Sequence, residues 1–327
     1  MRTPFAWLAG RLSLGPRALR WGTTAALLVS ILIIFTGGVV RVTGSGLGCP
    51  TWPTCDGESI SAPVSLGIHG AIEFGNRALT GVLIVAVGWA IVAARLQKPR
   101  NRAITRLAWS QFWLVVVNAL AGGLSVLAQL NPWVVAVHFL LAIGLLATTT
   151  LTWHRVRDQP MVGRPPGRAS VALAWALLAC TAVLVIVGTL VTGSGPHSGD
   201  SAEVPRMGFV WEQVTVLHAV LGTATLVIAL ALWFSLRGAG RPALARRRVL
   251  VFLVLTVLQG AVGTIQALSG LPELLVALHL LGAALVWIGA IRVLLDVQPQ
   301  LFSGVQPIAR DDVAVDVAAS PIGSQAL

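Results

Sequence analysis

The sequence predicts an all-α polytopic membrane protein, with eight transmembrane helices arranged as two pseudo-symmetric four-helix bundles. Three observations carry this. Of 327 residues, 56% are hydrophobic and 11% are charged, whereas a soluble domain carries about 25% charged residues. Eight apolar stretches, 22–42, 70–94, 107–130, 133–153, 170–192, 215–236, 249–268 and 274–295, reach the ~20 residues needed to cross a ~30 Å hydrocarbon core. Short sequence echoes then relate the first four stretches to the last four.

The net charge of +11 does not point to nucleic acid, because the basic residues recur between alternate apolar stretches instead of gathering on one soluble face. They follow the positive-inside rule. Arg2, Arg11, Arg17 and Arg20 precede the first stretch; Arg95, Lys98, Arg100, Arg102 and Arg106 follow the second. Arg155, Arg157, Arg164 and Arg168 follow the fourth, and Arg237, Arg241 and Arg246 to Arg248 follow the sixth. With Arg292 and Arg310, these place both termini in the cytoplasm of a cell-membrane protein. Arg41, Arg77 and Arg206 fall on the external side and need another reason.

The organisation expected is a cytoplasmic N-terminus (1–21), a first half (22–153), a cytoplasmic linker (154–169), a second half (170–295) and a tail (296–327). Residues 1–21 are basic, but the apolar stretch that follows is full length and lacks a small-residue cleavage site. It therefore reads as a retained helix and not a signal peptide. The tail contains Pro, Asp and Ala without period and is expected to be disordered.

The halves echo one another at fixed offsets. Val42-Thr43-Gly44-Ser45-Gly46 ends the first stretch, and Val191-Thr192-Gly193-Ser194-Gly195 ends the fifth. Asn118 precedes His138 by 20 residues and Gln259 precedes His279 by 20, with an offset of 141 between the two pairs. Asn76-Arg-Ala-Leu matches His218-Ala-Val-Leu at an offset of 142. An even number of spans per repeat makes the halves parallel, related by an axis along the membrane normal.

His138, His218, His279 and Asn76 consequently share one layer near the external ends of the even-numbered spans. One intramembrane His is readily explained as a hydrogen-bonded polar residue between helices. Three at one depth in a duplicated frame point to a functional site, since polar groups in lipid are costly. Two His on facing helices can coordinate both faces of a haem iron, and His218 and His279 form such a pair in the second half. Gly222, Gly263 and Gly282 would admit a large ring, although ordinary small-residue packing explains them equally well.

In the first half Asn76 stands where the second has His218, so His138 would hold an iron with a weak or open partner. Glu73 is one turn earlier, and it reads either as an ion-pair partner of Arg77 at i+4 or as a functional carboxylate beside a bound ring. His69, seven residues before Asn76, would lie near the external mouth. His154 and His197 are expected to be solvated, and Cys180 to be a packing residue. Cys49 and Cys55, in one external loop, can form a disulfide in an oxidising compartment or act as a redox-active thiol pair.

The run Gly37-Gly-Val-Val-Arg41-Val-Thr-Gly-Ser-Gly-Leu-Gly-Cys49-Pro-Thr-Trp-Pro-Thr-Cys55, followed by Ile72-Glu73-Phe-Gly-Asn76-Arg77, resembles the haem A synthase family over about 22–295. The resemblance implies an oxidoreductase that converts the C8 methyl of haem O to the formyl of haem A for terminal oxidases, with water as the oxygen source. It implies a haem b on His218 and His279, His138 as a ligand of the substrate haem, and Glu73 as the catalytic carboxylate. It further implies Cys49 and Cys55 as the loop pair, with Arg41 and Arg77 as partners of haem propionates.

Implied partners are membrane lipid, a haem O synthase, terminal oxidase assembly, a quinone as electron acceptor and a possible second copy of the chain. Where the family commonly has Glu-x-x-His-Arg, this chain has Asn76 in place of the His, which fits an Asn-containing, actinobacterial-like subtype. Either His69 takes the vacant ligand position or the iron keeps one strong ligand. Rival readings are a non-catalytic b-type cytochrome and a haem transporter or chaperone. Glu73 and the unequal ligand sets favour the enzyme.

Overall fold

A computed structural model of the chain describes residues 4–157, 164–197, 199–200, 203–238, 240 and 242–299. A short helix, α1 (Pro4–Arg11), precedes eight long ones: α2 (Pro16–Val42), α3 (Gly67–Arg95), α4 (Arg102–Leu127), α5 (Pro132–Val156), α6 (Arg168–Ser194), α7 (Trp211–Ser235), α8 (Ala243–Leu268) and α9 (Glu273–Val297). All eight expected spans are present, each long and apolar enough to cross a membrane. The tail from residue 300 onward lies outside the described residues.

Most helices outrun the apolar stretches that announced them, chiefly at their basic ends. A hydropathy scan stops at the first charge, whereas a helix continues while its Arg stems lie along apolar surface and their heads reach water. So α2 begins at Pro16, with Arg17 and Arg20 in its first turns, and α8 includes Arg246 to Arg248. Asn101 caps α4 by accepting from the Ala103 and Ile104 amides, and Asn131 caps α5 through the Trp133 amide. One helix ends early: α4 stops at Leu127 because Gln129 and Leu130 turn left-handed at φ 49° and 55°, where the Leu130 amide donates to the Ser125 carbonyl.

Each half closes into a ring. In the first, α2 packs on α3, α3 on α4, α4 on α5 and α5 back on α2; in the second, α6, α7, α8 and α9 repeat that order. The halves meet through α2 on α9, α5 on α6 and α5 on α9. Exchanging α2 with α6 and α5 with α9 leaves this set of contacts unchanged, as the pseudo-twofold requires. Leu27, Ile34, Ile143, Leu146, Ala284 and Ile288 fill the seam. Many hydroxyls inside the spans turn back onto their own helix, as Thr23 does to the Leu19 carbonyl and Ser30 to that of Ala26, which pairs those donors within the hydrocarbon.

The echoed Val-Thr-Gly-Ser-Gly segments fold differently. The first ends α2, with Gly44 in the left-handed region at φ 63° and the Ser45 amide donating to the Val40 carbonyl, a turn glycine tolerates best. In the second copy the helix continues to Ser194 and leaves through an extended Gly195. There the orphan carbonyls have other donors: the Met207 amide on Gly193 and the Arg206 guanidinium on Gly195 and Pro196.

Contact between α2 and α3 depends on Gly22, where an added Cβ would lie 2.8 Å from Trp89 Cδ1 and 3.1 Å from Ala90 Cα. Gly22→Val should destabilise the fold by about 1–3 kcal/mol, read as a lower melting temperature in detergent. Gly88→Ala, which meets nothing within 4 Å, should be neutral or slightly stabilising.

Candidate functional site

His138, His218 and His279 lie about two helical turns inside the starts of α5, α7 and α9. Each imidazole rests against a glycine of the preceding helix: a Cβ at Gly122 would meet His138 Cε1 at 3.0 Å, one at Gly188 would meet His218 Cε1 at 3.1 Å, and one at Gly263 would meet His279 Cε1 at 2.9 Å. The glycines let the rings press onto bare backbone. The carbonyls of Asn118, Leu184 and Gln259 face the same three rings, and they are the kind of acceptor that orients a ligating imidazole. Those of Asn118 and Leu184 fall short of full hydrogen-bond geometry, leaving Nδ1 of His138 and His218 buried without a bonded partner. The Gln259 amide nitrogen lies 3.0 Å from His279 Nδ1 and donates to the His279 carbonyl at 2.7 Å.

His218 and His279 come together, with ring centres 6.2 Å apart and planes at 65°. A metal–imidazole bond of about 2 Å, with roughly 1 Å from nitrogen to ring centre, sets two rings about 6 Å apart across one iron. The pair therefore fits a bis-histidine haem. One turn beyond His218, a Cβ on Gly222 would meet nothing within 4 Å, so there is open space on the face where a macrocycle would lie. Gly282, in contrast, is filled by the Gln259 side chain and is a packing glycine.

The first half is built otherwise. Asn76 accepts a hydrogen bond from Thr36 Oγ1 at 2.7 Å and so faces α2, while His138 stands against α4. Exposed His69 places Nδ1 2.9 Å from Ser45 Oγ, which ties it to the turn after α2. Glu73 is 5% exposed. Its Oε1 accepts from Arg77 Nε and Nη2, and its Oε2 from the Cys49 amide at 2.6 Å. Arg77 also donates to the carbonyls of Cys49, Thr51 and Thr54. Cys49 and Cys55 are joined as a disulfide, so the ion pair of one helix holds a cross-linked loop. Asp56 caps the far side of that loop, and the Ser59 and then the Glu58 amides hold its carboxyl below the usual carboxylate range.

The clamped loop sets Trp52 on α4. Its ring lies where a Cβ on Gly123 would go, one residue from the glycine that receives His138. Nothing in the composition of the loop announces this contact, although the Gly122-Gly123 doublet inside an apolar helix was a signal that something approaches closely there. The loop after α6 closes over the same turn: the Leu47 amide donates to Asp200 Oδ2 at 3.1 Å and the Gly46 amide to the Gly199 carbonyl at 2.7 Å. Arg41 donates to the Thr192 carbonyl at 2.7 Å and keeps its buried Nε without a partner. Arg206 bonds the end of α6, and burial pulls its guanidinium below the usual range. Arg41, Arg77 and Arg206 thus each bond backbone carbonyls at this end of the bundle.

Across residues 20–65 and 68–291, the sequence matches the profile of the COX15-CtaA family, described as cytochrome oxidase assembly protein. The chain belongs to this family. It is 26% identical over 235 residues to a heme A synthase of Staphylococcus haemolyticus, covering 62% of this chain and 75% of that one. To a heme A synthase of Staphylococcus carnosus it is 24% identical over 279 residues, covering 81% and 89% respectively. A protoheme IX farnesyltransferase of Thermus thermophilus is 28% identical over 307 residues, 88% of this chain; the match spans about half, 48%, of that longer protein.

Of the two histidines expected in solvent, His154 is buried and His197 is half-buried. His154 is 7% exposed and sets Nε2 3.5 Å from Asp296 Oδ1, beside Arg248. His197 lies 2.9 Å from the Leu271 carbonyl. Both read as solvated because their sequence neighbours are charged or in a loop, and their actual neighbours come from α9 and the α8–α9 turn. Because the cysteine bridge is buried under the Glu73–Arg77 clamp, alkylation of the folded protein should leave Cys49 and Cys55 unmodified until a reductant and denaturant are added. Mass spectrometry would count the added groups.

Proposed function

We propose that this family member is a haem A synthase, a membrane oxidoreductase that converts the C8 methyl of haem O to a formyl group. The observation that carries the reading is the unequal pair of sites in one duplicated frame: two facing histidines in the second half, and one histidine with a buried carboxylate in the first. His218 and His279 would hold a resident haem b, which supplies one-electron transfer. His138 would bind the substrate iron, with Asn76 turned to Thr36 and leaving the opposite face weakly held and exchangeable. Arg41, with its spare buried Nε, would meet a propionate, and Arg77 would act by holding the loop.

The overall change of the substrate is R–CH3 + H2O → R–CHO + 4 H+ + 4 e−. Water supplies the oxygen, two electrons leave at each of two stages, and a membrane quinone is the acceptor by way of the second half. Glu73 would contribute as a fixed negative charge. With both oxygens engaged it is held in one orientation, and in a low-dielectric site a carboxylate charge stabilises positive charge developing at the reacting carbon far more than it would in water. Trp52 walls the same site from above. The positive-inside pattern supports cytoplasmic termini and a site near the external surface. The likeness to a protoheme IX farnesyltransferase supports coupling to the step that delivers haem O, and the family description supports coupling to terminal oxidase assembly.

Purification from cells that make haem O, with extracted haems identified by mass, tests the reading. Haem O, a hydroxylated haem and haem A should all be recovered; unaltered haem alone would replace the enzyme by a carrier or transporter. His218→Ala or His279→Ala should abolish the low-spin b-type spectrum, and an unchanged spectrum in both would remove that pair as ligands.

Glu73→Gln keeps shape and can still accept from the Cys49 amide. It should retain haem O while turnover falls about 10²-fold or more. If yield and haem content fell together, with turnover per bound haem unaltered, the carboxylate would be only a clamp for the loop.

A further inference from the structure

On the face of the protein opposite the histidine layer, the α3–α4 junction forms a groove that the proposed reaction does not use. Its volume is about 470 Å³, and Arg95, Arg100, Arg102, Arg106, Trp109 and Trp113 line it together with Thr105 and Ser110. Four cations converge there with no carboxylate in the lining, and the sequence has no Asp or Glu anywhere from residue 74 to residue 157. The crowding is felt: burial, then Arg95 and Arg102, pull the Arg100 guanidinium below its usual range.

Three other arginines on this face are held by protein partners. Arg157 donates to the Arg20 carbonyl and to Thr23 and Thr24, Arg248 pairs with Asp296, and Arg237 stacks on Trp233. Arg100, Arg102 and Arg106 have no side-chain hydrogen bond or ion pair to any of the described residues. Arg102 and Arg106 lie on one face of α4, at i and i+4, and Trp109 and Trp113 continue that face.

We infer that this groove binds the headgroup of an anionic phospholipid. A phosphodiester matches the forked N–H geometry of several guanidiniums, and basic pockets between membrane helices recognise such headgroups. The shape favours a lipid over free phosphate. From Arg102 to Trp113 the groove descends about 16 Å along α4, and Trp113, 61% exposed, presents an aromatic wall at the depth of the glycerol and upper acyl chain. A soluble anion would touch only the arginine rim; a phospholipid would cover rim and wall together.

The test uses the full-length protein in a zwitterionic detergent, with thermal unfolding followed as phosphatidylglycerol, phosphatidylcholine or inorganic phosphate is added. Phosphatidylglycerol alone should raise the melting temperature saturably, with an effect that weakens at high salt. Arg102→Gln/Arg106→Gln keeps Arg95, Lys98 and Arg100 for topology, and should weaken the apparent affinity about 10- to 30-fold. Arg102→Lys/Arg106→Lys keeps the charge, loses the forks, and should fall between; it also serves if the neutral variant does not fold. Equal stabilisation by phosphatidylcholine, a full effect from inorganic phosphate, or undiminished affinity in the Lys variant would each overturn the assignment.

Discussion

Everything in this structure follows from the cost of leaving a polar group unbonded in hydrocarbon. That cost makes the backbone helical from end to end of each span and folds hydroxyls back onto their own carbonyls. It also leaves each intramembrane His, Glu or Arg in need of a partner. Glu73 and Arg77 are engaged by protein atoms at each carboxylate oxygen and each guanidinium nitrogen, whereas Asn76 is held only through Oδ1 and the His279 ring only through Nδ1. His138, His218 and Arg41 each keep a buried nitrogen with no hydrogen-bond partner, as do Arg20, Asn118 and Arg292 elsewhere in the bundle.

The architecture was legible in the sequence because lipid imposes it on composition directly. Spans, loops and the parallel relation of the halves could be read from hydropathy, arginine position and echoes 141–142 residues apart. The histidine layer was legible for the same reason, since depth in a membrane helix is a matter of counting. Partner choice was not. That Arg77 would spend itself on loop carbonyls, that Trp52 would lie on Gly123, and that His154 would be buried beside Asp296 all depend on residues brought together across the bundle. The turn after α6 shows the limit most plainly: the Val-Thr-Gly-Ser-Gly sequence occurs twice and folds twice differently, because only the second copy has Arg206 and Met207 to satisfy its carbonyls.

The asymmetry between the halves is local. At the position equivalent to His218, Asn76 is held by Thr36 on α2, so the change from His to Asn is accompanied by a protein partner that occupies the side chain. Where the second half leaves open space beneath its histidine at Gly222, the first adds a carboxylate, a cross-linked loop and an indole above. One frame has thus been loaded with two facing imidazoles on one side and with charge, cover and a single imidazole on the other. Tight symmetric ligation suits a group that stays; single ligation under a cover suits one that must enter, react and leave.

Glu73 could be read from sequence either as half of a helical ion pair or as a functional carboxylate, and the geometry makes those readings compatible. Arg77 binds one carboxylate oxygen while its remaining donors hold the loop that returns the Cys49 amide to the other oxygen. Orientation of the carboxylate and placement of Trp52 are consequently one event: the loop cannot move without releasing the charge, and the charge cannot reorient without releasing the loop. A carboxylate needed as a mobile base would be poorly served by such bonds. A carboxylate needed as a fixed charge gains from them, since preorganised electrostatics costs no rearrangement at the moment of reaction. The ion pair is the means by which the carboxylate would be held ready for the proposed reaction.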